Sequence, residues 1–249
     1  MKPFNYIYNT MALLSKSTFL KGVQCNKYIY LDKYHKSKKD PLSEEQLKKF
    51  EGGHAVGELA KNYFKGGIDI SLLSKSRQVL VAETSKHIQQ GVDKLYEATF
   101  EYNDVLVMAD VIIKSDESWM VYEVKSSQKI SETNRIDAAL QYYVMVNSGL
   151  PIQQFILTYL NYPRTDVLKM SSNEIPADLF LFEDVTDFCK NALNTNEEKI
   201  KDLKTILASP SIPQVEMGTH CNSPYTCEFI GYCNQSKNDI NEGLFYEGN

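Results

Sequence analysis

Cysteines near both ends of the chain constrain its fold more than any other feature of the sequence. Cys25 is alone near the start, whereas Cys221, Cys227 and Cys233 follow near the end, with five residues between neighbours. Four thiolates that come together can hold one metal centre. We therefore expect a fold in which the N-terminal and C-terminal segments are joined by a cysteine-ligated cluster.

The spacing of the cysteines leaves the nature of that centre open. An iron–sulfur cluster usually takes four cysteines, which matches this set. Structural zinc usually needs a close C-x2–4-C pair, and the sequence contains none. Unligated thiols are the third interpretation. The remaining cysteine, Cys189, lies in a helical pattern and is expected to be a small packing residue.

The hydropathy of the chain favours a cytoplasmic protein. The sequence has no run of about 18 consecutive apolar residues, so we expect no membrane span and no membrane partner. Residues 1–20 mix lysine and asparagine with short apolar runs, which makes a poor signal peptide. In the cytoplasm thiols stay reduced, and clustered cysteines are more often metal ligands than disulfides.

The net charge of −5 limits the ways in which the chain could bind nucleic acid. A protein that coats nucleic acid non-specifically is normally basic. A nuclease is not excluded, because acidic metal ligands and an acidic surface elsewhere both lower the total. Basic residues cluster at 33–39 and 125–135, and each run is either a binding patch or a solvated surface.

Hydrophobic periodicity and turn signals predict one α/β domain over residues 1–235, followed by a polar tail over residues 236–249. The predicted strands cover residues 98–102, 105–113, 119–124, 155–160 and 179–182. The predicted helices cover residues 43–64, 84–90, 135–149 and 186–207. The first helix opens at Ser43, where Gln46 completes a capping-box pattern.

Two carboxylates and a lysine lie in the central strands. Asp110 interrupts an almost wholly apolar strand, and a buried carboxylate needs a cation or strong hydrogen-bond donors nearby. Glu123 and Lys125 are two residues apart on the next strand, so their side chains face the same side. The Val124 carbonyl between them adds an oxygen ligand of the kind that Mg²⁺ and Mn²⁺ prefer. A lysine beside such an ion can help activate water or stabilise a phosphorane. The alternative is a buried Asp–Lys or Glu–Lys ion pair.

In order along the chain, these residues resemble the PD-(D/E)XK nuclease pattern. The matching segments are Tyr96-Glu97-Ala98, Ala109-Asp110, Tyr122-Glu123-Val124-Lys125-Ser126-Ser127 and Asp137-Ala138-Ala139-Leu140-Gln141-Tyr142. The pattern is most similar to the RecB-like branch, which includes the CRISPR-associated RecB-like exonucleases that contain a 4Fe–4S cluster. The resemblance covers roughly residues 15–234. Its specificity comes from the ordered set rather than from the short E-x-K core.

The resemblance implies a fold, a set of cofactors and a reaction. The fold is a single restriction-endonuclease-like domain, with a mixed central sheet flanked by helices. The implied site residues are the metal ligands Asp110 and Glu123, the catalytic Lys125 and the helix glutamine Gln141, with Mg²⁺ or Mn²⁺ as the ion. The implied 4Fe–4S ligands are Cys25, Cys221, Cys227 and Cys233. The implied reaction is hydrolysis of DNA by a single-strand-specific exonuclease or flap nuclease. Such an enzyme would act in DNA repair, CRISPR adaptation or phage defence, with the protein partners of those systems.

Two positions depart from the family pattern. A tyrosine usually follows the helix glutamine by four residues, but Met145 occupies that position. The family also has a metal-binding histidine, often four residues after a glycine, and counting from Gly53 leads to Gly57. His54 lies about one helical turn earlier and is the candidate metal ligand in its place. The other interpretation of His54 is a histidine on the helix surface.

These residues leave three functional hypotheses. The first is an active metal-dependent DNA nuclease, which the ordered set of site residues favours. The second is a catalytically weak or inactive DNA-binding or assembly subunit with the same fold and cluster, which the ambiguous histidine and the acidic net charge favour. The third is a zinc-stabilised interaction domain with accidental motifs. Iron and sulfide content would separate the third hypothesis from the other two.

Overall fold

A seven-stranded mixed sheet forms the centre of the protein. The computed structural model describes residues 14–170 and 175–235, so the predicted tail and most of the segment at 1–20 lie outside the described residues. In chain order the strands are β1 (Leu14–Ser15), β2 (Ile68–Asp69), β3 (Lys94–Tyr102), β4 (Val105–Ser115), β5 (Ser118–Lys125), β6 (Ile152–Leu160) and β7 (Phe180–Asp184). Neighbouring strands follow the order β2-β3-β4-β5-β6-β7, and β1 pairs with β4.

The strands pair in both directions. β3, β4 and β5 form an antiparallel meander, and β6 is antiparallel to β7. The pairs β1 with β4, β2 with β3 and β5 with β6 are parallel. The first hairpin turns at Asn103 and Asp104, whose φ angles of 53° and 57° are the left-handed values that a tight hairpin requires. The predicted meander and its Asn-Asp turn are therefore confirmed.

Helices flank the sheet. In chain order they are α1 (Lys16–Gln24), α2 (Asn26–Tyr34), α3 (Glu44–Tyr63), α4 (Arg77–Gln89), α5 (Glu132–Asn147), α6 (Arg164–Val167), α7 (Thr186–Asn191) and α8 (Leu193–Ala208). The prediction of a mixed α/β fold, with a mixed central sheet flanked by helices, is confirmed. Among the described residues, no helix combines the length and the apolar composition that crossing a bilayer requires.

Three of the predicted helices differ from the structure in their bounds, and one of them, predicted at 135–149, is Glu132–Asn147. The capping box at Ser43 is present, since its hydroxyl accepts from the Gln46 N–H and its own N–H donates to the Gln46 side chain. The helix predicted at 84–90 begins earlier, at Arg77. The helix predicted at 186–207 is two helices, α7 and α8, which meet at Ala192. Apolar residues recur at helical spacing on both sides of Ala192, so the pattern did not reveal the break.

The early and late segments meet in the main core. Phe229, from the segment that contains the late cysteines, is fully buried, and its ring packs edge-to-face against Tyr28 of α2 with centroids 5.3 Å apart. The Tyr28 hydroxyl donates a hydrogen bond to the neighbouring Glu228. Phe19 of α1 is also fully buried. Packing and hydrogen bonds thus hold the two segments together, and the cysteine-ligated cluster expected between them stays a prediction.

The helices α3 and α5 lie against opposite faces of β5. Tyr122 packs against Phe64, the C-cap of α3, with ring centroids 4.7 Å apart. Lys125 instead forms an ion pair with Asp137 of α5. Successive side chains of a strand point to opposite faces. Glu123 and Lys125 therefore both point to the α5 side of the sheet.

Candidate functional site

Asp110 lies where β4 changes its neighbour. From Val111 onward β4 pairs with β5, whereas its first residues pair with β1. Between these two partners the Asp110 carboxylate accepts a hydrogen bond from the Val124 N–H, with 2.6 Å between Oδ2 and N. The N–H and C=O of one strand residue point to the same side of the strand. The Val124 carbonyl therefore faces the same gap as the Asp110 carboxylate.

Glu123 has one carboxylate oxygen in use and one without a partner. The residue is 1% exposed, and its Oε1 accepts from Lys16 Nζ at 2.8 Å and from Lys125 Nζ at 2.7 Å. Its Oε2 is buried and has no hydrogen-bond partner among the described residues. A buried oxygen without a donor is costly, because it has lost the water that would otherwise solvate it. Glu123 Oε2 is therefore an atom that a cation would satisfy.

Helix α5 anchors the site lysine. Lys125 Nζ lies 2.5 Å from Asp137 Oδ2, and Gln141 Nε2 lies 3.5 Å from the other oxygen of the same carboxylate. Asp137 and Gln141 are four residues apart on one helix face and are 4% and 0% exposed. Gln141 Oε1 is buried without a partner among the described residues. The predicted residues Lys125 and Gln141 are thus brought together through Asp137.

A second lysine reaches the same carboxylates. Lys16 follows β1 directly and is the first residue of α1. Its Nζ lies 2.8 Å from Glu123 Oε1 and 3.6 Å from Asp137 Oδ2. The Lys16 side chain is 31% exposed, compared with 14% for Lys125. The Lys16 side chain is therefore the more exposed of the two lysines of the site.

The surroundings of the two candidate metal ligands, Glu123 and Asp110, shift their pKa values in opposite directions. Burial opposes the ionisation of Glu123, but Lys125 and Lys16 outweigh it and lower the pKa of Glu123 to about 2. Burial and the charge of Glu123 raise the pKa of Asp110 well above its usual range. Burial also opposes the charge on Lys125, but Asp137 and Glu123 raise its pKa. The metal-free site thus holds an ionised Glu123, a charged Lys125 and an Asp110 that resists ionisation.

Glu97 adds a third carboxylate beside Asp110. Tyr96 pairs with Val111 and Ala98 pairs with Ala109, so Glu97 lies directly opposite Asp110, at a position where the two strands are not paired. Its φ of 52° is unusual for a residue other than glycine, and such strain is often found at functional sites. Burial raises the pKa of Glu97, and the charge of Glu123 adds to the rise.

The structure does not bring His54 to the carboxylates. His54 lies on the exposed side of α3, and its side chain makes no hydrogen bond or ion pair with the described residues. Gly57 is half-buried, and an added Cβ there would meet no atom within 4 Å. Met145 is fully buried in the main core, so it does not offer the exposed aromatic ring that a tyrosine could.

The donors at the sheet gap fit a divalent cation in their chemistry. They are the carboxylates of Asp110 and Glu123 and the carbonyl of Val124, and one of their oxygens is without a donor. Magnesium is commonly bound by one or two carboxylates and keeps several waters. Within the described part of the chain, no three histidine, cysteine, aspartate or glutamate side chains lie close enough together to enclose a metal ion. Any ion at this gap would therefore depend on water and substrate for its remaining ligands.

The four cysteines predicted as cluster ligands line one small cavity. Cys25 is the C-cap of α1, and the Cys227 N–H donates to the Cys221 carbonyl at 2.8 Å. Burial raises the pKa of Cys227 to about 11, and the neighbouring Cys25 and Cys233 thiols add to the rise. The cavity also includes the apolar side chains of Phe229 and Ile230. Four thiolates are the usual ligand number of an iron–sulfur cluster, but among the described residues no three of these thiols lie close enough together to enclose a metal ion.

Cys189 is separate from this cavity. It is fully buried on α7 in the main core, as expected for a packing residue. The described residues contain no disulfide, and all five cysteines are free.

A cleft of about 780 Å³ opens beside the carboxylate site. Its lining includes Ser17, Thr18 and Lys21 of α1, and Tyr225 from the loop between Cys221 and Cys227. Burial raises the pKa of Tyr225, and the charge of Asp137 adds to the rise. The cysteine-containing loop therefore extends from the thiol cavity to the edge of the carboxylate site.

Four residues of the site were missed when the sequence was considered alone. Two of them left a signal, since Asp137 is a carboxylate on an apolar helix face and Glu97 is in the resemblance itself. The other two, Lys16 and Tyr225, left no local signal, because only long-range contacts bring them to the site.

Comparison with known proteins adds no relative to this description. No protein-family model matches the chain, and no curated protein has significant sequence similarity to it. The function of the site is therefore argued from its own residues.

Proposed function

We propose that the protein is a metal-dependent DNA nuclease with a RecB-like, restriction-endonuclease-like PD-(D/E)XK domain over residues 1–235. One observation carries the proposal. Asp110 and Glu123 come from different strands, yet they meet at a gap in the sheet beside Lys125, and Glu123 Oε2 is buried without a donor among the described residues. This is the donor set that a divalent cation and a phosphate need together.

Asp110, Glu123 and the Val124 carbonyl would hold Mg²⁺ or Mn²⁺. When bound, the ion would act as a Lewis acid that polarises the phosphate and lowers the pKa of a water molecule. Because Lys16 and Lys125 occupy Glu123 Oε1, Oε2 is the oxygen left for the ion. His54 is not included among these ligands, since its side chain lies on the exposed side of α3.

Lys125 would stabilise the charge that develops on the phosphate during attack by water. Asp137 and Glu123 raise its pKa against the effect of burial, so the amine is protonated at neutral pH. A protonated lysine acts by charge and hydrogen bonding rather than as a general base. Asp137 holds the ammonium in place, and Gln141 contacts Asp137 in turn.

The thiols of Cys25, Cys221, Cys227 and Cys233 would hold a 4Fe–4S cluster with a structural role. Their shared cavity joins the end of α1 to the late segment, so a cluster there would fix both segments. The sequence contains no close C-x2–4-C pair of the kind that structural zinc usually needs, which supports iron–sulfur over structural zinc.

Single-stranded DNA, or DNA with single-stranded ends or flaps, is the proposed substrate. The cleft beside the site combines lysine with an aromatic ring, the combination that proteins use for single strands. A cytoplasmic enzyme of this kind would act in DNA repair, CRISPR adaptation or phage defence, in complexes with the protein partners of those processes.

A catalytically weak or inactive DNA-binding or assembly subunit is the second candidate. The observation that favours it lies on α3, where Gly57 takes the position expected for a metal-binding histidine. His54 contacts no carboxylate among the described residues. Two lysines on Glu123 also reduce its attraction for a cation in the metal-free protein.

Cleavage of end-labelled single-stranded DNA by anaerobically purified protein, with Mg²⁺ or Mn²⁺, tests the proposal. Lys125→Ala should lower the rate by at least about 100-fold. Lys114 is exposed and lies about 14 Å from Asp110 along β4, so Lys114→Ala should leave the cleavage rate unchanged. No cleavage by wild-type protein that still contains its cluster would favour the binding subunit. Equal cleavage by wild type and Lys125→Ala would identify a contaminant.

A further inference from the structure

We propose that Lys16 binds a phosphate of single-stranded DNA next to the phosphodiester that is cut. The proposal rests on the proposed nuclease function and adds a substrate-binding residue to the same site. It is argued from the position of Lys16, its free donors and its surroundings.

Strand pairing fixes the position of Lys16. Leu14 pairs with Val105 and Ser15 pairs with Leu106, which places the residue after β1 at the gap in the sheet. The Ser15 hydroxyl then accepts from the Thr18 N–H at 3.2 Å and caps α1. Both contacts hold the backbone on either side of Lys16. The lysine is therefore delivered to the carboxylates by regular structure rather than by a loop.

The Lys16 ammonium has donors to spare. Of its three N–H groups, one is accounted for by Glu123 Oε1 at 2.8 Å, and Asp137 Oδ2 at 3.6 Å is beyond hydrogen-bond distance. Lys125 differs, since both Glu123 and Asp137 lie within 2.7 Å of its Nζ. Lys16 is also the more exposed of the two. The remaining donors of Lys16 could therefore bind a phosphate oxygen without breaking the contact that orients Glu123.

The surroundings of Lys16 suit a single strand. Ser17 and Thr18, the next two residues, line the cleft of about 780 Å³, and Tyr225 lines it from the opposite chain segment. Tyr225 is 40% exposed, and its backbone carbonyl accepts a hydrogen bond from Gln24 Nε2 at 2.6 Å. Stacking of a base on an exposed aromatic ring is a common way to hold single-stranded nucleic acid. A strand in the cleft would pass Lys16 before it reaches Asp110 and Glu123.

The test is the salt dependence of DNA binding, which does not require cleavage. Full-length protein with its cluster is titrated with a fluorescein-labelled oligothymidylate and no added divalent cation, between about 50 and 200 mM KCl. One lost phosphate contact on a single strand lowers the slope of log K against log [KCl] by about 0.7. We expect that reduction for Lys16→Ala, with roughly tenfold weaker binding at the lowest salt. Lys16→Arg should keep the wild-type slope, and Lys114→Ala should too.

Three outcomes decide the matter. An unchanged slope in folded Lys16→Ala would overturn the proposal, and Lys16→Gln gives the same reading if the alanine variant does not fold. No binding by wild-type protein would overturn this proposal, and cleavage in the presence of Mg²⁺ or Mn²⁺ would decide the nuclease function separately. Wild-type binding with the reduced slope in the variant, but without cleavage, would support the Lys16 contact and reject only the nuclease.

Discussion

Lys16 and Cys25 lie at the two ends of one helix. Lys16 is the first residue of α1 and contacts Glu123 at 2.8 Å, whereas Cys25 is the C-cap of α1 and lines the thiol cavity. At 1.5 Å per residue the nine residues of α1 span about 14 Å. One short helix therefore joins the carboxylate site to the cysteine cavity.

The segment that contains the late cysteines also forms hydrogen bonds with side chains of α1. Gln24 Nε2 donates to the carbonyls of His220 and Tyr225, and Lys21 Nζ donates to the Thr226 carbonyl at 3.2 Å. These acceptors belong to the segment that contains Cys221 and Cys227. A change at the thiols would therefore act on α1 through its cap and through its side chains.

Cys25→Ser should release iron and destabilise the protein. Serine cannot replace a thiolate ligand in an iron–sulfur cluster without loss of affinity, and a structural metal centre contributes folding free energy. We expect a loss of about 3 kcal/mol or more, which corresponds to roughly 6–12 °C in Tm for a chain of this size. Iron and sulfide content and thermal unfolding of anaerobically purified protein measure the effect.

Cys189→Ala is the matched control for that substitution. Cys189 is fully buried in the main core and outside the thiol cavity. We expect a cost of about 1–2 kcal/mol from lost packing, with the iron content of the wild type. Full iron content in Cys25→Ser would contradict the assignment of Cys25 as a ligand. Zinc instead of iron in the wild type would favour the structural zinc site.

Asp110→Asn should stabilise the metal-free protein at neutral pH and abolish its response to metal. Burial and the charge of Glu123 raise the pKa of Asp110, so its ionised form is costly when no cation is present. Asparagine removes the charge but can still accept from the Val124 N–H. We expect a gain on the order of 1 kcal/mol, or about 2–4 °C in Tm. Mn²⁺ should raise the Tm of the wild type but not that of Asp110→Asn.

Asp116→Asn is the control for charge alone. Asp116 is exposed and has a φ of 54°, a conformation that asparagine also tolerates. This variant should keep the wild-type Tm and the response to Mn²⁺. A metal-free Asp110→Asn protein that is less stable than wild type would show that Asp110 is held by hydrogen bonds rather than poised for a cation.

The pH dependence of the metal-free protein follows from the same carboxylates. The folded state retains the Asp110 proton to a higher pH than the unfolded chain does, so stability should fall as pH rises through that interval. Asp110→Asn should remove this fall. Glu123 acts in the opposite sense, because its pKa is lowered to about 2 by Lys125 and Lys16 against burial. Its contribution is complete above the usual glutamate pKa and is lost as pH falls toward about 2.

Local pattern was sufficient to predict the pair at the centre of the site. Asp110 breaks an apolar strand, and Glu123 and Lys125 follow in the next strand of a meander, so antiparallel pairing brings them together. Lys16 could not be predicted in this way, since its place depends on the parallel pairing of β1 with β4, about 90 residues away in sequence.

Helical positions were harder to predict, because each residue turns the side chain by about 100°. His54 was the nearest histidine to the expected position, but its side chain lies on the exposed side of α3. Asp137 and Gln141 are separated by one turn and share a buried face, yet only Gln141 was assigned to the site. Tyr225 could not be assigned to the site without the fold of the whole segment that contains Cys221, Cys227 and Cys233.

Asp137→Asn should impair catalysis without impairing metal binding. Asp137 lies 2.5 Å from Lys125 Nζ and is not among the oxygens that face the gap in the sheet. Asparagine keeps the shape but removes the charge that fixes the ammonium, so we expect the cleavage rate to fall by about 100-fold. Loss of a hydrogen bond between charged groups should cost about 2 kcal/mol of folding free energy. Single-turnover cleavage measures the effect on catalysis, and Mn²⁺ titration measures the effect on metal binding.

Asp110→Asn is the comparison that makes this result interpretable. That variant should lose both the affinity for Mn²⁺ and the cleavage, whereas Asp137→Asn should lose cleavage alone. If Asp137→Asn also weakened Mn²⁺ binding tenfold or more, Asp137 would belong to the metal site itself. If it cleaved DNA at the wild-type rate, the position of Lys125 would be set by Glu123 alone, because Glu123 Oε1 lies 2.7 Å from the same ammonium.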